Sequence, residues 1–62
     1  MDISTKRFRL FLDISSRSLF VEEKKTGRLR LVTREDLPPD NNIAAMHERT
    51  FDQLCARLLN QH

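Results

Sequence analysis

His47, Cys55 and His62 are the only side chains in this sequence that carry an imidazole or a thiol. Their spacings of eight and seven residues bring them to one side of a helix. At 1.5 Å per residue, successive members then lie roughly 10 Å apart along the axis. Tetrahedral zinc holds its ligands within about 2.0–2.3 Å of one ion. The trio therefore makes no metal site within one chain, and neither a metal nor any other cofactor is expected. Cys55 falls on an apolar stripe, which suits a small core residue rather than a nucleophile. His47 is expected to border the same core. A serine nucleophile needs a histidine base beside it. Ser15, Ser16 and Ser18 have none in their segment. Carboxylates are paired at Glu22-Glu23 and at Glu35-Asp36. Neighbours on a strand point to opposite faces, which separates Glu22 from Glu23. Glu35 and Asp36, at a helix start, complement the local dipole. Gly27 is the only glycine, which excludes phosphate loops built on several. No enzymatic activity and no small-molecule substrate is expected.

Cations interleaved with aromatics are the stronger signal. Residues 1–34 hold nine basic side chains against four acids, and residues 35–62 hold two against five. The whole chain is only +2, so charge is polarised along the sequence. Polarity of this kind can steer an anionic partner to one face. Most of the cations are arginines, whose guanidinium forks bind phosphate bidentately and stack on bases.

Three strands and a helix must position these groups. In residues 7–14, Phe8, Leu10, Leu12 and Ile14 alternate with Arg7, Arg9, Phe11 and Asp13, the pattern of a half-buried strand. Residues 15–18 form a polar break of hairpin length. Residues 19–24 are a second strand. Lys25-Thr26-Gly27 fits a three-residue loop with glycine at the left-handed position. Residues 28–33 are a third strand. These loops set Ile14 opposite Leu19, Leu12 opposite Val21, Val21 opposite Leu31 and Phe20 opposite Val32. One core face results: Phe8, Leu10, Leu12, Ile14, Leu19, Val21, Leu29 and Leu31.

Thr33 and Asp36 resemble a capping box for one helical turn, and Pro38 and Pro39 stop it. Residues 34–42 are a loop, with Asn42 as helix cap. From 43 to 60 apolar residues recur at three- and four-residue spacing, the mark of an amphipathic helix. The expected fold is α+β, a three-stranded antiparallel β-meander packed on one C-terminal α-helix, in one domain over residues 1–62. A 62-residue chain has room for only a thin core. One cysteine allows no internal disulfide, which points to a reducing, cytoplasmic setting. No apolar run approaches the ~20 residues of a membrane span, and Met1-Asp2-Ile3-Ser4-Thr5 lacks the apolar centre of a secretory signal.

One helix covers one side of a sheet, so the other side is open. The register above places Arg7, Arg9, Lys24, Arg28, Arg30 and Arg34 there as phosphate contacts. Phe11, Phe20 and Val32 lie among them as stacking or interface groups. Arg9, Lys24 and Arg28 form a row of like charges that a polyanion would relieve. The first expectation is a small non-enzymatic regulatory module contacting nucleic acid through this face. The second is a protein-interaction module that homodimerises, or adapts a partner protein, through the same face. The strand-then-helix order, with Lys25-Thr26-Gly27-Arg28 at a hairpin turn, resembles the small arm-type DNA-binding domains at the N-terminus of tyrosine recombinases. The resemblance covers element order and one short turn, and it implies contact with DNA.

Overall fold

The computed structural model describes residues 2–38 and 43–61. Four strands come first: β1 (Asp2–Ser4), β2 (Phe8–Asp13), β3 (Ser18–Glu23) and β4 (Leu29–Val32). A 3-10 turn over Arg34–Asp36 and another over Ile43–Ala45 follow, and α1 spans Glu48–Leu59. The sheet is an antiparallel meander in the order β1-β2-β3-β4. The α+β architecture with a C-terminal helix is the one the sequence indicates, but with four strands instead of three. β1 has three residues and one apolar side chain, Ile3, so alternation has nothing to repeat. It is defined by pairing, with Ile3 opposite Leu10 and Ser4 opposite Arg9.

Both of the longer hairpins turn on four residues, not on the loops expected. Asp13 pairs with Ser18 around residues 14–17, and Leu12 pairs with Leu19. Both ends of that loop sit one residue earlier than expected, so the pairing shifts by two and every side chain keeps its face. In the next hairpin Gly27 donates its N–H to the Glu23 carbonyl at 2.8 Å, and Glu23 donates to the Arg28 carbonyl at 2.9 Å. The loop is Lys24–Gly27, and only one of its ends has moved. The pairing therefore shifts by one: Val21 faces Arg30 and Phe20 faces Leu31. A one-residue shift inverts the strand. Val32 is buried on the helix side, while Leu29 and Leu31 face out, 54% and 53% exposed. The expected core is corrected at Leu29 and Leu31, and also at Ile14 and Leu12, which are exposed toward the first turn although Leu12 keeps its side of β2.

The last residue of each four-residue loop is left-handed: Arg17 at φ 56° and Gly27 at φ 75°. Asp13 holds the first turn, accepting from the Ser15 hydroxyl (2.9 Å) and the Ser16 hydroxyl (2.9 Å). Thr26 holds the second, donating to the Glu23 carboxylate at 2.8 Å and accepting from the Arg28 amide at 3.2 Å. These short polar side chains substitute for backbone partners that tight turns leave open.

The Thr33–Asp36 turn forms as its sequence suggests. The Asp36 carboxylate accepts from the Thr33 hydroxyl (2.9 Å) and the Thr33 amide (3.3 Å). Leu37 is extended at ψ 155° ahead of Pro38. The helix is shorter than the expected 43–60. It begins after His47, whose ψ of 148° is not helical, and the expected cap, Asn42, lies outside the described residues. Ile43 and Met46 reach the core from the 3-10 turn, and His47 is exposed. Phe51, Leu54, Cys55, Leu58 and Leu59 form the buried stripe of α1. They pack on Phe8, Leu10, Val21 and Val32, with Ile3, Leu19 and Leu37 at the margins.

Candidate interaction surface

The side of the sheet away from α1 carries two cross-strand rows. One runs Ser4, Arg9, Glu22, Leu29, and the other runs Asp2, Phe11, Phe20, Leu31. Its chemistry is apolar toward β4 and charged toward β1. Phe11 and Phe20 sit directly opposite each other and stack, with ring centroids 5.8 Å apart and planes 28° from parallel. Leu31 is the next side chain in that row and Leu29 lies diagonal to it. Antiparallel alternation places Phe20 and Leu31 in a non-hydrogen-bonded pair, where side chains approach most closely.

Arg9 is the one arginine of the expected phosphate-binding set on this face, and it is engaged. Its Nε and Nη2 donate to the two Asp2 oxygens at 3.1 and 2.8 Å. Its guanidinium lies 4.3 Å from the Phe11 ring centroid. The hydrogen bonds from Arg9 hold the Asp2 carboxyl below its usual range, and the same bonds raise Arg9. Glu22, directly opposite Arg9, adds to the latter. A fork already closed on a carboxylate and stacked on a ring is poorly placed to take a phosphate.

The remaining expected contacts are scattered by the register. Arg30 and Arg28 turn to the helix side and cap the end of α1. The Arg30 Nη1 donates to the Leu58 carbonyl at 2.9 Å, and the Arg28 Nη2 donates to the Leu59 carbonyl at 3.1 Å. The last carbonyls of a helix lack intrahelical partners and carry partial negative charge, so guanidinium groups there are doubly favoured. Lys24 donates its Nζ to the Thr5 carbonyl at 2.7 Å. Arg7 is exposed in the β1–β2 turn, 5.9 Å from the Phe8 ring centroid. Arg34 is exposed in the 3-10 turn. Val32, expected among the stacking groups, is 5% exposed in the core. The structure thus brings Arg9, Phe11 and Phe20 together and separates the rest.

The outward leucines, Leu29 and Leu31, escaped the sequence reading. The clue lay in Thr26. A hydroxyl two residues before Arg28 and three after Glu23 can bridge both ends of a four-residue turn, and that turn length sets the parity of β4. A second contact visible only in three dimensions is Thr5. Its hydroxyl donates to the Asp52 carboxylate at 2.6 Å, 47 residues along, and accepts from the Phe8 amide at 3.2 Å. It pins the first hairpin to α1.

Cys55 is fully buried, and burial pushes its thiol up to about 12, far from a reactive thiolate. The buried core of the described residues contains no polar or charged side chain. Among these residues no three His, Cys, Asp or Glu side chains could hold a metal ion, and no helix is long and apolar enough to cross a membrane. Comparison with protein-family models, curated proteins and solved structures returns no match. The expected likeness to arm-type DNA-binding domains draws on three strands and a Lys25–Arg28 turn, whereas the sheet has four strands and the turn runs over Lys24–Gly27.

Proposed function

We propose that this chain is a non-enzymatic interaction module that assembles with its own kind through the open side of its sheet. One observation carries the reading: Phe11, Phe20 and Leu31 stand in one row, with Leu29 beside them, on a side that no element among the described residues covers. The register adds two leucines to that side and withdraws two arginines from it, which favours a protein partner over a polyanion. Contiguous apolar side chains rimmed by polar ones are the usual mark of protein contact. A chain of this length gains stability by burying more apolar surface than it can enclose alone.

Nucleic acid is the second reading, with its site moved from the face to one end of the sheet. The β1–β2 and β3–β4 turns lie at the same end and carry Lys6, Arg7, Lys24, Lys25 and Arg28. The Lys24 bond to Thr5 ties the two turns together.

Sedimentation over a concentration series tests both. Self-association gives a mass approaching twice 7.3 kDa, lost in Phe20→Glu while circular dichroism stays folded. Adding a short duplex at low salt reads the second: a polyanion complex dissolves steeply as salt rises. A 7.3 kDa species at every concentration, unaltered by Phe20→Glu, overturns the first reading.

A further inference from the structure

The two edges of the sheet are defended unequally. β1 is three residues long and presents Asp2, bonded to Arg9, on the open side. Short length and charge are the usual protections of an edge strand. β4 has neither a charge on the open side nor a proline, and its pairing to β3 runs without a bulge from Leu29 to Val32. Its one charged residue, Arg30, is turned away and held by the Leu58 carbonyl.

The backbone of β4 is equally bare. Because Glu23 donates to the Arg28 carbonyl, alternation turns the backbone groups of Arg30 and Val32 toward β3 and those of Leu29 and Leu31 away from it. Among the described residues, no hydrogen bond from Leu29 or Leu31 to another part of the chain is made on that outer edge. The next outward residue, Thr33, is closed by its own turn. Its amide donates to the Asp36 carboxylate at 3.3 Å, and its carbonyl accepts from the Asp36 amide at 3.0 Å. The open edge therefore amounts to two N–H and two C=O groups.

We infer that a second copy of this chain pairs antiparallel along β4, with Leu29 of each copy opposite Leu31 of the other and a twofold axis at Arg30. The inference rests on the self-association reading and places its contact at the β4 edge of the open side rather than across that side. Each open N–H finds an open C=O in the partner, and none is left over. On the open side, Leu29 and Leu31 of both copies meet at the junction, with a Phe20 flanking each end. The apolar parts of two sheets thereby become one continuous strip, while the charged β1 edges lie outermost. The contact that opposes this arrangement is Arg30 against its symmetry mate on the helix side, where each guanidinium stays bonded to its own helix. Edge pairing of two four-residue strands buries far less than the ~1,600 Å² of a standard interface. The dimer is accordingly weak, and its population follows concentration.

Amide hydrogen exchange, followed by NMR on the intact chain alongside sedimentation, tests it. The Leu29 and Leu31 amides gain protection as concentration rises, while the Arg30 and Val32 amides are protected throughout. Leu31→Pro removes an outward N–H and trims the side chain at the junction without breaking a bond to β3, so it leaves the monomer folded and weakens the dimer by about tenfold or more. Leu31→Lys does the same if the proline variant fails to fold. A dimer whose Leu29 and Leu31 amides exchange freely overturns the edge contact and leaves face-to-face association standing. A monomer at all concentrations overturns both. Slow exchange of these amides in the monomer shows the edge to be covered from within and also overturns the inference.

Discussion

Arg30 shows how little a residue type says about its task. On a strand an arginine reads as a solvated group, and the sequence reading sent Arg30 toward water and phosphate. In the fold it donates to the Leu58 carbonyl at the end of α1, an acceptor that the Gln61 amide reaches only at 3.4 Å. Nothing local in Arg-Leu-Arg-Leu announces this, because the partner lies 28 residues away. Arg9 was legible, since both its strand and its face followed from the clean alternation of β2. A charged hydrogen bond to a helix end, with the dipole in its favour, contributes about 1–2 kcal/mol. Arg30→Met keeps most of the stem and removes the donor, so it should lower the urea-unfolding free energy by about that amount. Arg30→Lys, which retains the charge without the fork, should lose less. If Met costs nothing, the bond is ornamental and the helix end is satisfied by water.

At the scale of the element, the turns decided what the strands could not. Hydrophobic alternation located β2, β3 and β4 within a residue or so, and the stripe of α1 was readable from Phe51 onward. The face of β4 depends on one integer, the number of residues in the Lys24–Gly27 turn, and leucine and arginine alternate there in either register. The two turns share a left-handed fourth residue but fill it differently. An L-residue in that region carries about 1–2 kcal/mol of steric cost, and glycine carries little. Arg17→Gly should therefore stabilise the protein by about 0.5–1 kcal/mol after the extra freedom of unfolded glycine is allowed for. Gly27→Ala should destabilise it by about 1 kcal/mol. The added methyl at Gly27 meets nothing within 4 Å, so that loss is purely conformational. Opposite signs in thermal or urea unfolding would support the shared turn geometry. Equal effects would refute it.

Over the whole molecule, charge matters through its balance with acid. Eleven Lys and Arg face nine carboxylates at neutral pH, and protonating the carboxylates leaves cations alone to repel one another. Two of the acids are also specifically held in the ionised state. Hydrogen bonds from Arg9 lower Asp2, and those from Ser15 and Ser16 lower Asp13, both from an ordinary value of 3.8. A carboxyl whose folded pKa is depressed stabilises the fold fully above its unfolded pKa and loses that contribution as pH falls through the folded one. Stability should hold from neutrality to about pH 4, then fall as the solution is acidified further. Asp2→Asn with Asp13→Asn removes both contributions. That variant should start less stable than the parent at pH 7 and converge on it as acidification passes the depressed folded values of the two carboxyls. Urea midpoints across that range measure the two curves. Parallel curves would mean that the first-strand ion pair and the Asp13 turn contribute nothing through their charge, leaving only the general repulsion of an all-cationic chain to explain acid unfolding.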